Sequence, residues 1–225
     1  MKTIKIHCAK RSQVRLNSTK SVKTSNKTTI FALLNENILS ELDNQEKQHS
    51  QKIKQLLLDI NSGSAPKISS ALKSLQVNGD ISVIRPVVEI LKTKISHQTE
   101  MEVLNFLGDL KVSKAADEMI AILKDDHFLD VRQKLLTTIW NCKIDYSYFI
   151  AEFVEIACEG DFMESLECLT ILENLEGPFE EHHILECQLH LKEYMEDTTA
   201  KDIQKAQIMS EIALLLKEYD LDTDD

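Results

Sequence analysis

The stretch ILKDDHFLDVRQKLLTTI, residues 122–139, contains the end of one apolar helical segment and the start of the next. Apolar residues recur every three or four positions in both segments, which is the spacing of a helix that buries one face. The second segment opens with Asp130, Val131 and Arg132, in which two opposite charges flank an apolar residue. The stretch therefore predicts two consecutive helices joined by a short turn.

The same apolar pattern returns elsewhere in the chain at a nearly constant interval. The quartet LTTI at 136–139 has counterparts in LKSL at 72–75, LNFL at 104–107 and LTIL at 169–172. A second apolar stripe follows each of the first three quartets and recurs at nearly the same interval. The second stripe comprises Ile84, Val87, Val88 and Leu91, then Ala116, Met119, Ile120 and Leu123, then Ile150, Phe153, Val154 and Ala157. Each unit is thus predicted to be a helical pair, A and B, that buries its stripes against neighbouring pairs.

Turn chemistry fits this division. Asp80 and Ser113 are placed to cap the first two B helices, and Asp145 opens the third. The turn-like sequences are NSGSAP at 61–66, VNGD at 77–80 and EGPFE at 176–180.

The repeating pattern resembles HEAT repeats over about residues 65–195. The best match is the unit quoted first, because family repeats often carry an Asp-x-Arg arrangement such as Asp130 and Arg132; FLGDL at 106–110 also fits. The resemblance implies an α-α superhelix, a solenoid of about four helical pairs, with a ladder of inter-repeat hydrogen bonds. Units one and four lack the Asp-Val-Arg element, as terminal repeats often do. The resemblance concerns shape and implies no particular activity.

The predicted organisation has five parts. The polar sequence DNQEKQHSQK at 43–52 is expected to interrupt the helical pattern of the second part. The parts are a basic tail at 1–35, one or two N-terminal capping helices at 36–62, four HEAT-like pairs at 63–196, a C-terminal capping helix at 197–220 and an acidic tail at 221–225.

Composition agrees with an all-helical chain. Only 5 of the 225 residues are glycine and 3 are proline, fewer turn residues than a β-sandwich or an α/β enzyme of this length would need. Hydrophobic residues make up 43% of the chain, enough for a sizeable core. The predicted fold class is all-α.

Charge is divided unevenly along the chain. Residues 1–35 hold eight of the 26 Lys and Arg residues, whereas all 37 Asp and Glu residues lie in 36–225. A body this acidic repels phosphates, which argues against a nucleic-acid role for the folded part. The basic segment is open to three interpretations: a disordered tail, an extension from an early start codon or an organellar transit peptide.

Cysteine usage and hydropathy bear on the compartment. The five cysteines are odd in number and form no CxxC pair, which is typical of reduced thiols in a cytosol-like compartment. No window of about 18 residues is continuously apolar, and the N-terminus lacks the apolar region of a secretory signal. We therefore expect a cytoplasmic protein.

One stretch carries three residues of types that bind metals. In EEHHILECQLHL at 180–191, His183, Cys187 and His190 are spaced i, i+4 and i+7, near one face of a helix. The repeat register places Cys187 in the core, His190 at the seam between repeats and His183 on the opposite flank of the stripe. The interpretation preferred here is a capping helix with a more polar inner face, with no metal ligands and no cofactor; a zinc site is the alternative.

Acidic residues recur at equivalent positions of the B helices. Glu118, Glu152 and Glu186 form one row, and Glu155 belongs to a second. In a HEAT-like stack the B helices line the concave face, so the resemblance implies an acidic groove. One interpretation is an ordinary solvated face. The other, which we adopt as a hypothesis, is a docking groove in which these four glutamates bind a basic protein segment.

The aromatic residues are interpreted mainly as core. Trp140 is predicted to pack at a repeat seam, and Phe149 and Phe153 to lie in the core. Tyr146 and Tyr148 are predicted to border the groove.

No catalytic signature is present in the sequence. It contains no GxGxxG, Walker, GxSxG or HExxH pattern, so we predict no catalytic residues and no small-molecule substrate. The expected function is a non-catalytic protein–protein interaction scaffold whose partner carries a basic segment. Two alternatives stay open: an enzyme on a HEAT-like frame, similar to bilin lyases or to a class of DNA glycosylases, and an adaptor whose residues 1–35 bind nucleic acid or an anionic membrane.

Overall fold

The computed structural model describes residues 44–140, 142–197 and 202–222. Within these ranges the chain forms α-helices, turns and short 3-10 segments, and no β-strand. The all-α prediction is therefore confirmed for the described part. No helix in that part combines the length and the apolar character needed to cross a bilayer. The predicted basic tail at 1–35 lies outside the described residues.

The chain divides into two compact units, Met1–Ser50 and Gln51–Asp225. In the first unit the described residues, 44–50, are helical and exposed. In the second unit helix α1 covers residues 51–60 and buries Ile53 and Ile60. The polar sequence at 43–52, expected to interrupt the helical pattern, is thus helical from residue 44 onward.

Nine further helices follow in the described part of the second unit. Helices α3, α6 and α7 are each preceded by one 3-10 turn, which bends the chain into the helix over three residues. The helices are α2 (Ala65–Asn78), α3 (Ile84–Glu89), α4 (His97–Gly108), α5 (Ala115–Leu123), α6 (Leu129–Ile139), α7 (Ile150–Glu159), α8 (Phe162–Glu173), α9 (Glu181–Glu196) and α10 (Ile203–Asp222).

Two of the three predicted caps bond at the 3-10 turns that precede α3 and α7, whereas the helices themselves begin after Val83 and Phe149 without a side-chain cap. The Asp80 carboxylate accepts a hydrogen bond from the Ser82 backbone N–H at 2.9 Å, and Asp145 accepts one from Ser147 at the same distance. The third prediction is wrong, because α5 begins after Lys114 and no side chain caps it. Ser113 lies one residue further out and contributes only its carbonyl, which accepts from the Ala116 N–H.

Helices two apart along the chain pack against each other. One series of contacts joins α2 to α4, α4 to α6, α6 to α8 and α8 to α10. A second series joins α3 to α5 and α7 to α9. Consecutive helices such as α7 and α8 also touch. We refer to the helices of the first series as the A row and to α3, α5, α7 and α9 as the B row.

The core lies between the two rows. All twelve residues of the predicted B stripes in the first three units are buried, and so are seven of the eight A-helix stripe residues, with Leu104 half-buried. In the fourth unit Ile184, Cys187 and Leu191 are buried, whereas Gln188 is exposed. Since each large apolar side chain contributes about 1.5–3 kcal/mol on burial, the shared core stabilises helices too short to stand alone.

A buried ion pair joins α6 to α8. The Arg132 guanidinium donates two hydrogen bonds of 2.8 Å to the two carboxylate oxygens of Glu164, and both side chains are buried. Glu164 also accepts from the backbone N–H of Asp161, whose side chain accepts from the Glu164 N–H in return. A side chain at Gly160 would meet the Glu164 carboxylate at 2.5 Å, so glycine leaves room for the pair.

Candidate interaction surface

The acidic rows predicted from the sequence lie on α5, α7 and α9. Equivalent positions of these helices are one repeat apart, so a carboxylate on one helix recurs at the same position of the next. The first row contains Glu118, Glu152 and Glu186, and the second contains Glu155. A further set of equivalent positions, at or just beyond the helix ends, contains Asp125, Glu159 and Glu193.

Basic residues neutralise the acids nearest the N-terminal end of these rows. Arg85 donates from Nε to Glu118 at 3.1 Å and from Nη1 to Asp125 at 2.6 Å. Arg85 thereby holds the pKa of the Asp125 carboxyl below its usual range, with help from the His127 backbone N–H. Glu118, predicted to bind a partner, thus already has an ion-pair partner within the protein.

Lys124 compensates a second predicted site residue. Its ammonium lies 2.5 Å from a carboxylate oxygen of Glu155. Burial works against the charged form of Lys124, but hydrogen bonding to Glu155 and the nearby charges of Glu152 and Glu159 raise its pKa above the usual value. Of the predicted site residues, Glu155 is therefore also engaged internally.

Four carboxylates further along the rows make no such ion pair, although Lys124 lies near two of them. Within the described part of the chain, no Lys, Arg or His lies within ion-pair distance of them. Three are exposed and Glu152 is half-buried. We call this set the acidic surface; it consists of Glu152 and Glu159 on α7 and Glu186 and Glu193 on α9.

The fields of these carboxylates overlap between the two helices. Burial raises the pKa of the Cys187 thiol to about 12, and Glu186 and Glu152, from two different helices, add to the effect. The pKa of the Cys158 thiol is likewise raised to about 11 by burial, with Glu159 and Glu193 among the contributing charges. Carboxylates of α7 and α9 thus act on the same buried thiols, although Lys205 opposes their effect on the pKa of Cys158.

The possible zinc ligands on α9 do not converge. Cys187 is fully buried in the core, as the register predicted. His183 is also buried, and its ring packs edge-to-face on Tyr148 at 4.7 Å. His190 is half-buried, with its backbone carbonyl 3.6 Å from the Cys158 thiol. Among the described residues no group of three His, Cys, Asp or Glu side chains could hold a metal ion.

Two aromatic predictions are wrong. Trp140 follows the last residue of α6 and is 46% exposed, rather than packed at a seam. Tyr146 is buried and packs edge-to-face on Phe153 at 6.0 Å, so it does not border the predicted groove. Phe153 is in the core as predicted, Phe149 is only partly buried, and Tyr148 is exposed beside α9.

Two open cavities in the described part lie at the turns that join A to B helices. The first, of about 430 Å³, lies between the turns of the first two units and is lined partly by Leu75, Phe106 and Val112. The second, of about 540 Å³, lies between the turns of the last two units and includes Cys142 and Asp145. Burial raises the pKa of the Cys142 thiol, so this cysteine stays protonated and poorly nucleophilic.

Comparison with protein-family models, with curated proteins and with solved structures found no match for this chain.

Sequence reasoning missed the cations that divide the acidic rows. Arg85 and Lys124 belong to the helices that precede their partners, and each lies about one repeat before the glutamate that it contacts. A search for opposite charges at that interval would have found both pairs. The same search would have found Arg132 and Glu164, which are 32 residues apart.

Proposed function

We propose that the protein is a non-catalytic scaffold of HEAT-repeat type that binds a basic segment of a protein partner on its acidic surface. The four helical pairs are α2 with α3, α4 with α5, α6 with α7, and α8 with α9. Helix α10 covers the A row at its C-terminal end, and helix α1 precedes the first pair.

The packing order of the helices supports this architecture. Contacts between helices two apart in the chain are what stacked helical pairs require, because each pair must bury its stripes against the next. The side-chain links between units support it as well. Arg132 reaches Glu164 in the following unit, and Lys92 lies 3.7 Å from Asp130 in a later unit. Asp130 and Arg132 thus both contact residues of other units. Their partners, Lys92 and Glu164, do not belong to an Asp-x-Arg element of another unit.

The observation that carries the proposed binding role is the lack of ion pairs on the acidic surface. Glu118, Asp125 and Glu155 pair with the protein's own cations, whereas the four carboxylates of α7 and α9 have no cation at ion-pair distance among the described residues. A cluster of unpaired carboxylates destabilises the fold slightly through self-repulsion, and a basic partner would relieve that repulsion. The negative charge would also accelerate the encounter with such a partner.

A peptide-binding assay tests this proposal on the full chain. The probe is a fluorescent synthetic peptide of about 16 residues rich in lysine, with its affinity measured by anisotropy. Double reversal Glu152→Lys and Glu186→Lys should weaken binding at least about tenfold, since attraction of the peptide turns to repulsion at two positions of the surface. Raising the salt concentration from about 0.05 M to about 0.5 M should weaken binding to the unmodified protein as well.

The matched control changes the same net charge elsewhere. Glu173 and Glu211 are exposed on the A-row helices α8 and α10, and their reversal to lysine should leave the peptide affinity unchanged. If both double variants lose affinity equally, the peptide responds to overall charge and the acidic surface is not a site. If the peptide does not bind at all, the proposed function is wrong.

A further inference from the structure

Side-chain contacts link α3, α5 and α7 each to the helix that follows it in the row. Arg85 on α3 reaches Glu118 on α5, and Lys124 at the end of α5 reaches Glu155 on α7. Cys158 on α7 in turn donates toward the backbone carbonyl of a residue on α9. We call the side of a B helix that makes these contacts, and the equivalent side of α9, its forward flank.

On α7 the forward flank is covered. Ala151 is 3% exposed, and Cys158 is half-buried and contacts α9; Glu155, between them on the helix surface, is half-buried and pairs with Lys124 of the preceding helix. The equivalent positions of α9, one repeat later, are Leu185, Leu189 and Lys192. The forward flank of α9 thus carries two leucines where α7 carries an alanine and a glutamate.

The forward flank of α9 is open. Leu185 is 55% exposed and Leu189 is 53% exposed. The two are spaced i, i+4, so they lie one above the other on the helix surface and form a single apolar strip. Helix α9 is the last of the B row, and the helix that follows it, α10, packs on both α8 and α9 but leaves Leu185 and Leu189 exposed. The strip therefore ends the B row without a following helix among the described residues.

Most of the charged side chains of α9 near the strip are carboxylates. Glu186 and Glu193 of the acidic surface lie one residue after Leu185 and one turn after Leu189, respectively. Lys192 is the one lysine or arginine on α9 and lies 3.9 Å from Glu196. The strip is therefore an apolar patch bordered by free carboxylates.

We propose that the forward flank of α9 binds an amphipathic helix of the partner, which packs as the next helix of the B row. Its apolar side chains, at i and i+4 spacing, would contact Leu185 and Leu189. Lysine or arginine residues beside them would face Glu186 and Glu193. The inference rests on the proposed function and deepens it, because it specifies the partner's segment as a basic helix rather than an extended chain.

Charge disfavours a second copy of this chain as the occupant. Two α9 helices packed about a two-fold axis would bring Glu186 and Glu193 of each copy close to the same residues of the other. The whole chain also carries a net charge of −11, so two copies repel each other at long range. A basic helix is attracted by the same charges.

Two peptides of equal composition test the inference on the full chain. The first is a synthetic peptide of about 16 residues with leucines at i, i+4 spacing along one face and lysines beside them. The second has the same residues reordered so that the leucines do not share a face. The first peptide should bind at least about tenfold more tightly, because only it can bury its leucines together against the strip.

Substitutions in the protein locate the binding site. Leu185→Ser and Leu189→Ser together should weaken binding of the first peptide at least about tenfold. Leu214→Ser is the matched control: this leucine is 58% exposed on α10 and should not matter. Because all three leucines are exposed, the serine variants should fold and melt like the unmodified protein, as measured by circular dichroism.

Each contrary outcome has a distinct meaning. If both peptides bind equally and the serine variants are unaffected while reversal of Glu152 and Glu186 abolishes binding, the helix inference fails and the proposed function stands. If neither peptide binds, both the inference and the proposed function fail.

If the unmodified protein sediments as a dimer and the Leu185 and Leu189 variant as a monomer, the strip binds a second copy and the inference is overturned. If that variant melts well below the Leu214→Ser control, the strip is covered by the chain itself, and the inference is likewise overturned.

Discussion

Removing Arg132 is expected to cause a large loss of stability. The guanidinium makes two hydrogen bonds of 2.8 Å to Glu164, and the two side chains are 8% and 9% exposed. In an Arg132→Met variant the buried carboxylate would keep only the Asp161 backbone N–H as a donor. Breaking a buried pair in this way costs about 3–5 kcal/mol, a large part of the roughly 5–15 kcal/mol that stabilises a typical domain.

Replacing both partners should cost much less than replacing one. With Glu164→Leu added to Arg132→Met, no unpaired charge remains between α6 and α8, and apolar replacement of a buried pair is often close to neutral. The residual cost of the double variant is loss of the capping interaction between Glu164 and Asp161, about 1 kcal/mol. The two substitutions should therefore be strongly non-additive.

Urea-induced unfolding, followed by circular dichroism, measures these free energies. The midpoint should fall with little change in the slope m, since the surface exposed on unfolding is nearly unchanged. Lys134→Met is the matched control: Lys134 lies on the same helix and pairs with Glu100 at 2.5 Å, but it is 45% exposed. It should lose less than about 1 kcal/mol. An equally small loss for Arg132→Met would refute the argument, because it would mean that water reaches the pair.

Two further predictions concern titratable groups. The pKa of Asp125 is lowered by its hydrogen bond with Arg85, so the stabilisation from this pair is present above the unfolded pKa of about 3.9 and is lost as the pH falls through the lower folded value. Asp125→Asn should remove this part of the pH dependence of the free energy of unfolding, measured between about pH 2 and pH 5. An unchanged pH dependence in the variant would contradict the prediction. The thiols of Cys158 and Cys187, with pKa values raised to about 11 and about 12 by burial, should resist alkylation near pH 8 in the folded protein and react after unfolding, as measured by mass spectrometry. Rapid labelling of Cys187 in the folded protein would show that its helix opens readily.

The repeat interval was the part of the fold most fully predicted from the sequence. The nearly constant interval between repeats was sufficient to place twelve B-helix residues in the core. Apolar residues at helical spacing form one face of the helix, and that face is buried in the folded protein. The same register placed Cys187 in the core rather than in a metal site. Burial follows from periodicity, and periodicity is visible in one sequence.

Three of the incorrect predictions concern positions at helix ends, where periodicity no longer determines orientation. Trp140 comes directly after α6, so the helical spacing that would have placed it at a seam has stopped. Ser113 lies one residue before the cap position of α5. Tyr146 points into the core from a non-helical turn. Helix boundaries shift by a residue or two with little change in energy, and each such shift moves a side chain to another face.

The acidic surface was only partly predictable. The row of Glu118, Glu152 and Glu186 follows from the repeat. Whether one of these carboxylates is ion-paired depends on whether a cationic side chain of a neighbouring helix extends to it. Arg85 reaches Glu118 across the gap between two helices, whereas no described cation does so for Glu152 or Glu186. Whether such an ion pair forms depends on side-chain rotamers and helix packing, and neither can be inferred from the spacing of residues in the sequence.

The links between helices have a consequence for how the chain folds during synthesis. Arg132 bonds to a residue 32 positions later, Arg85 to residues 33 and 40 positions later, and Lys205 to a carbonyl 47 positions earlier. None of these contacts needs the two ends of the chain to meet, so the entropy of closing long loops is not required. As the ribosome extends the chain, each helical pair can dock on the previous one within about 50 further residues, a few seconds of translation. An incomplete chain would then expose only the apolar surface of its most recently synthesised helical pair, which limits the surface available for aggregation.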